Sequence, residues 1–452
     1  MLSSYWLATL AIAAALFIGY LFVRLPIVRK SFLPGSLAAG VLVLILGPQV
    51  AGQYFPEWQL PSVFYDYWKT LPGQLINVVF ACLFLAHAIL PIKKIWRLAA
   101  PQAAFGQMMA WGQYALGGLA ALLILVPLFS ASPFSAALIE ISFEGGHGTA
   151  SGLIGVFEEF GFRDGHELAV GLATLSLISA IICGMLLVHW GIRRGHIKPH
   201  KQRNLAQMVY HRRVIYELRK QGISLRSHLT PKRLVLHIAL IALAVFFGWC
   251  LYQVLLAIEA ATWGQSGVKI LGHMPMFPLC MFGGMIAHVV WKKLHLEISR
   301  PIVELLSGLA LSVLIVTAIG TMSLSGIANN IETFIILAVV GIVWILAAFI
   351  FLAPRMFRKN WFQNGIVNMA QSMGQTATGL LFVKMVDPKD RTGAIESFGY
   401  KQLLFEPFVG GGIVTALAIP AIAFLGLPMF TIITGAVCIT WMVLGIIYFS
   451  KL

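Results

Sequence analysis

Charge is scarce in this 452-residue chain. Asp and Glu number 17, Lys and Arg 32, and together they make up 11% of the residues against 59% hydrophobic. A soluble domain of this length carries roughly 25% charged residues, so a soluble enzyme, a secreted module and a disordered chain are all excluded. Cysteine is rare too. Cys82, Cys183, Cys250, Cys280 and Cys438 lie far apart inside apolar stretches, a spacing that excludes a metal knuckle or a disulfide framework and leaves them as small core hydrophobes. No H-E-x-x-H and no G-x-x-x-x-G-K-[ST] occurs, and no pair of acids stands on facing spans. Hydrolytic chemistry and ATP-driven transport therefore have no motif, and the chain reads as a non-enzyme. The net charge of +15 does not indicate nucleic acid, because membrane proteins gather their basic residues on one side.

What is abundant is apolar sequence in lengths that cross a bilayer, about 20 residues each. Eleven stretches qualify: 5–23, 37–52, 75–90, 103–129, 168–192, 234–258, 275–291, 303–323, 333–353, 404–422 and 429–449. Two more, 132–157 and 362–386, are interrupted by glycines and carry polar groups in their middle, which a lipid-facing helix cannot tolerate. The distribution of basic residues predicts how these two behave. If neither crosses, 29 of the 32 basic residues share one face, leaving only Lys69, Arg163 and Lys269 outside; if only the first crosses, that bias collapses. Each is therefore expected to enter and leave on one face, the first from outside and the second from the cytoplasm. The first apolar run lacks a preceding basic segment and is followed by Arg24, Arg29 and Lys30, which predicts a retained span, an outside N-terminus and a cytoplasmic C-terminus.

The two interrupted stretches resemble each other. Gly148-Thr149-Ala150-Ser151-Gly152-Leu153 aligns with Gln375-Thr376-Ala377-Thr378-Gly379-Leu380 at an offset of 227, about half the chain. Each follows the fourth span of its half, and an odd number of spans in the first half turns the second upside down. The expected fold is an all-α polytopic membrane protein, with about 11 transmembrane helices and two re-entrant hairpins in two inverted-topology repeats. Its parts are an N-terminal repeat over 1–192, a basic cytoplasmic connector over 193–233, an inverted repeat over 234–422, and an additional span within 423–452. In the connector, Leu205, Met208, Val209 and Ile215 fall near one helical face among His211, Arg212 and Arg213, the pattern of a solvated segment resting on anionic headgroups.

Inverted repeats with broken helices near mid-membrane belong to secondary transporters. A helix that stops inside the bilayer leaves N–H or C=O groups that must face protein, water or a ligand. The N–H end suits a carboxylate and the C=O end a sodium ion. Around the first break the candidate binding residues are Glu144, Gly145, Gly146, His147, Gly148, Thr149 and Ser151. Around the second they are Asn368, Gln371, Ser372, Gly374, Gln375, Thr376 and Thr378. Thr149, Ser151, Thr376 and Thr378 supply hard oxygens for a sodium site, and sodium is expected as coupling ion with no organic cofactor. Glu144 marks either ion coupling or the mouth of the hairpin, and His147 either a substrate contact or a structural histidine. Thr376 and Thr378 could instead bond their own helix carbonyls. His87, His237 and His288, alone in apolar spans, read as satisfied core residues. Gly283-Gly284 and Gly410-Gly411-Gly412 read as points of close helix approach, and Glu406 as an interfacial residue or a local partner of Lys401.

The segment Gly145-Gly146-His147-Gly148-Thr149, followed by Gly161-Phe162 and by Ala173-Thr174 in the next span, resembles the first pore-loop region of the bacterial sodium/glutamate symporters. Leu306–Ala310 and Glu406-Pro407-Phe408-Val409-Gly410 are similar to that family as well. The resemblance implies two inverted five-helix halves, re-entrant loops from opposite faces, and sodium-coupled uptake of an acidic amino acid by alternating access. It further implies a homodimer in the bacterial inner membrane. The chain departs from the family in its less glycine-rich second loop, in Glu144, which stands where the glutamate carriers have a small neutral residue, and in the span over 429–449. The competing functions are a carrier of a different organic anion, coupled to sodium or protons, and an ion channel built on the two loops. Cysteines placed at 145–151 are expected to react with impermeant thiol reagents from outside, and those at 374–378 from inside; the reverse pattern would overturn this topology.

Overall fold

The computed structural model describes residues 2–25, 34–55, 57, 60–83, 85, 92–197, 230–262, 264, 271, 274–374, 376–387 and 391–451. Among them the secondary structure is helical, without strands. Most of the basic connector, with its apolar helical face, and His87 lie outside the described residues, so the expectations placed on them find no counterpart here.

Seven described helices are long and apolar enough to cross a membrane: Tyr5–Phe22, Ala99–Phe129, Gly165–Arg193, Pro231–Ala261, Arg300–Thr321, Ile331–Met356 and Leu427–Ile447. Their outer faces expose large apolar side chains, among them Trp6, Leu186, Val235, Val343 and Ile432, as lipid-facing surfaces require. Gly35–Ile45, Pro133–Phe143 and Ile413–Leu425 are apolar but shorter.

Six helices form one bundle: α1 (Leu2–Phe22), α2 (Gly35–Ile45), α3 (Ser62–Leu83), and three from the second half that follow below. The hydropathy of α3 predicts a start near residue 75, but the helix begins at Ser62. Its first turns are polar at Asp66 and Lys69, yet they bury Phe64, Tyr65 and Trp68 against α1 and α2, with Trp68 Nε1 donating to the Ala8 carbonyl at 3.2 Å. One apolar stripe thus carries a helix that average composition does not reveal.

After α4 (Ile92–Ala120, continued by a π-helical turn Ala121–Leu125 and by Val126–Phe129), the first interrupted stretch divides into α5 (Leu138–Phe143), α6 (Gly146–Gly152) and α7 (Ile154–Glu159), and α8 (Gly165–Arg193) follows. The chain doubles back here. Phe134 at its start lies 5.9 Å from Phe160 at its end, ring to ring, whereas a straight helix would separate them by about 39 Å. Gly146, at φ +70°, makes the turn into α6.

The second half contributes α9 (Pro231–Ala261), α10 (Phe277–Lys293) and α11 (Arg300–Thr321) to the first bundle. The second bundle joins α4–α8 to the remaining elements: α12 (Ile331–Ala347, a π turn Ala348–Leu352 and Ala353–Met356), α13 (Trp361–Gly374), α14 (Thr376–Val386), α15 (Ala394–Phe405), α16 (Ile413–Leu425) and α17 (Leu427–Ile447). The second interrupted stretch also reverses: a Cβ on Gly379 would lie 2.5 Å from the Val367 carbonyl, so α14 packs back along α13.

The packing repeats as the sequence does. α1 packs on α2 as α9 packs on α10, while α2 meets α11 and α10 meets α3. The π turns Ala121–Leu125 and Ala348–Leu352 are 227 residues apart, as are Pro127 and Pro354 just beyond them. The cause is local. A proline ring clashes with the carbonyl four residues earlier, and a widened turn relieves it.

Two expected spans are not continuous. The stretch 37–52 is helical to Ile45 and resumes only in a short helix, Ala51–Tyr54. The stretch 404–422 ends its first helix at Phe405 and begins the next at Ile413. Pro407 lacks an amide hydrogen to continue the ladder, and Gly410 and Gly411 adopt φ of +71° and +104°, so these glycines break a helix; Gly411 also serves the close approach expected of it, since a Cβ there would lie 2.5 Å from the Phe80 ring. Gly283 and Gly284 do serve close approach: a Cβ on each would lie 2.2 Å from the carbonyls of Ala244 and Ala81. Gly283→Ala is expected to destabilise the purified protein by about 1–3 kcal/mol, read as a lower melting temperature. Gly155→Ala, whose Cβ meets nothing within 4 Å, should stay within about 0.5 kcal/mol.

Candidate functional site

Glu140 and Glu144 stand one helical turn apart at the end of α5, both buried. Glu140 Oε1 accepts from the Gly410 amide and from Thr415 Oγ1, each at 2.8 Å, and Oε2 accepts from the Tyr114 hydroxyl. The Gly411 amide in turn donates to Thr415 Oγ1 at 3.1 Å. A helix broken in apolar surroundings leaves amides that need acceptors; here a side chain from α5 and one from α16 provide them. Gly411 also packs on the first stretch, since a Cβ there would meet Thr149 Oγ1 at 2.5 Å.

The second stretch meets the same place. Thr376 Oγ1, at the start of α14, donates to Glu406 Oε1 at 3.0 Å and accepts from Gln402 Nε2 at 2.8 Å; Gln402 Nε2 also bonds Glu406 Oε1. Lys401 is completely buried. Its Nζ donates to Gln371 Oε1 at 2.6 Å and lies 3.6 Å from the centre of the Phe405 ring, a cation–π contact, with Glu144 and Glu406 as the opposite charges around it.

These elements enclose a cavity of about 420 Å³ at the boundary of the two bundles. Glu144, Gly145, Gly148, Gln371, Thr376, Glu406 and Gly410 line one side; Ile76, Val79 and Phe80 of α3 and Ser307, Gly308 and Leu311 of α11 line the other.

Of the residues expected from sequence, Glu144, Gly145, Gly148, Gln371 and Thr376 reach this cavity. Gly146 is buried in the turn beside them. His147 points away: Thr174 donates to the Val170 carbonyl, so His147 Nε2 donates to Thr174 Oγ1 at 2.9 Å, while Nδ1 has no partner. Thr149 and Ser151 are buried with hydroxyls that make no hydrogen bond, the hard oxygens a cation prefers. Asn368 lies elsewhere, bonded to Gln102 Oε1 at 3.2 Å and to the Asn364 carbonyl. Ser372 is directed at Met109 Sδ at 3.9 Å. Thr378 bonds the carbonyl of Gly374, the last residue of α13, and so plays the helix-internal role. Gln375 lies outside the described residues. No cluster of three or more His, Cys, Asp or Glu suited to a metal occurs among the described residues, which leaves hydroxyl and carbonyl oxygens as the larger part of any sodium shell.

His237 and His288 are core residues: His237 Nδ1 bonds the Arg233 carbonyl at 2.7 Å, and His288 Nδ1 bonds the Leu85 carbonyl at 2.5 Å. Glu406 is buried and is not an interfacial residue, and Lys401, counted above with the cytoplasmic face, is internal. Glu140 escaped the sequence reading altogether, although its spacing from Glu144 puts both acids on one helical face.

A helical membrane protein with a cavity lined by buried carboxylates where its helices break has the architecture of a carrier. The chain belongs to the sodium/glutamate symporter family, whose model matches residues 3–385. Lys401, Glu406 and the break at 406–412 follow that matched segment. No curated protein matches the chain.

Glu140→Ala strands three donors and is expected to lower stability by about 2–4 kcal/mol, and Tyr114→Phe by about 1–2 kcal/mol. Unfolding of the purified variants measures both; a loss under about 0.5 kcal/mol for Glu140→Ala would contradict its role in holding the break.

Proposed function

We propose that the protein is a secondary active transporter that couples sodium entry to uptake of a small carboxylate of the acidic amino-acid type. One observation carries this: the two reversing stretches and the helix break at 406–412 converge on a single cavity between two bundles. The bundles touch across α3, α11 and α6. Movement of one bundle along the other exposes the cavity first to one side of the membrane and then to the other.

The repeat at 227 residues, the paired π turns and the reciprocal packing of α2, α3, α10 and α11 support two inverted repeats with re-entrant hairpins. On the sequence argument the N-terminus is outside and the C-terminus cytoplasmic in the inner membrane, and family membership favours a homodimer. The unpartnered hydroxyls of Thr149, which lies next to Gly411, and of Ser151 support a sodium site in the first stretch. Substrate and ion couple when each stabilises the conformation the other binds.

Uptake of a carboxylate and amino-acid panel into proteoliposomes, with and without a sodium gradient, tests the reading; uptake indifferent to sodium would contradict it. Thr149→Val and Thr376→Val, each removing one hydroxyl, are expected to lower sodium-dependent uptake about tenfold with expression unchanged. Wild-type kinetics in both would remove these residues from the mechanism.

A further inference from the structure

An ammonium has three N–H groups; ordinarily directional acceptors meet them, or the stem carries the charge out to water. Lys401 has neither arrangement. It is completely buried, and its ammonium makes one hydrogen bond, to Gln371 Oε1 at 2.6 Å. Its other surroundings are non-directional: the Phe405 ring centre at 3.6 Å, the Phe398 ring centre at 5.4 Å, and the charges of Glu144 and Glu406. These groups are gathered from the ends of α5 and α15 and from α13. The facing helix, α4, makes room for them. A Cβ on Gly106 would lie 2.8 Å from the ammonium nitrogen and 2.5 Å from the carbon before it, so a side chain there would close the socket.

An amide oxygen, an aromatic face and nearby carboxylates are groups that a protein offers to a monovalent cation of any shape. We propose that this socket is a monovalent-cation site that the chain fills with its own ammonium, so that Lys401 stands in for an ion that would otherwise be bound and transported. Tethering favours the lysine, because a free ion gives up translational freedom on entering and an attached one does not. Glu140 takes no part, since its oxygens accept from Gly410, Thr415 and Tyr114. Gln371, Glu144 and Glu406 line the cavity, whereas Lys401 does not. With the ammonium removed, an ion arriving by the cavity meets the same three side chains. Lys401 lies beyond the segment that the family model matches. That the replaced ion would be transported rests on the carrier reading above; the socket itself does not.

Lys401→Ala empties the socket, and Lys401→Met keeps the stem without the charge. Melting temperatures of the purified proteins are compared in choline, potassium and methylammonium chloride at equal ionic strength. Potassium and methylammonium are expected to raise Lys401→Ala by about 3 °C or more over choline, and to leave the wild type and Lys401→Met within about 1 °C. Three proteins that respond alike overturn the proposal, as does a Lys401→Ala chain that folds in none of the three salts. In proteoliposomes Lys401→Ala is expected to take up one more sodium ion per substrate than the wild type. An unchanged stoichiometry overturns the exchange of ammonium for a transported ion. Wild-type uptake indifferent to sodium counts against the carrier reading alone, and the melting comparison still decides the socket.

Discussion

Peptide groups freed by a helix break inside an apolar interior have no water to turn to, and the second bundle is arranged around satisfying them. The amides of Gly410 and Gly411 reach Glu140 and Thr415, which joins the break between α15 and α16 to the first reversing stretch. The second stretch joins the same cluster through Thr376, Glu406 and Gln402. The partners that close one break come from elements far away in sequence, so three interruptions, each unfavourable alone, stabilise one another and meet at one side of the cavity.

The first bundle supplies the opposite wall. α3 and α11 pack on each other, and both present apolar side chains to the cavity. Most of the polar lining groups therefore sit on the bundle that carries the breaks, while the other offers mainly apolar side chains, with Glu304 and Ser307 of α11 among them.

Much of this was legible in the sequence. Glycines and polar groups inside apolar runs mark both reversing stretches. The third break was not legible in the same way. Glu406-Pro407 and three glycines were visible, but the apolar content of 404–422 averaged them into a span, and the acceptor that makes the break tolerable, Glu140, lies 270 residues away. Lys401 failed for a related reason: a lysine near a span end reads as a surface charge, and only tertiary structure shows it enclosed by Gln371 and Phe405. The early start of α3 was hidden because Asp66 and Lys69 lower its hydropathy while Trp68 anchors it. Thr378 and Asn368 do not line the cavity and bond the Gly374 carbonyl and Gln102 instead, a placement that sequence spacing does not reveal.

The central claim is that the three interruptions meet in one chamber that holds the cargo. A density map of the full-length protein in lipid nanodiscs, with saturating sodium and L-glutamate, tests it most directly. The expected map shows non-protein density bounded by Glu144, Thr376 and Gly410, with the helix broken between Phe405 and Ile413. An uninterrupted helix through that segment, or cargo density remote from Glu144, would contradict it.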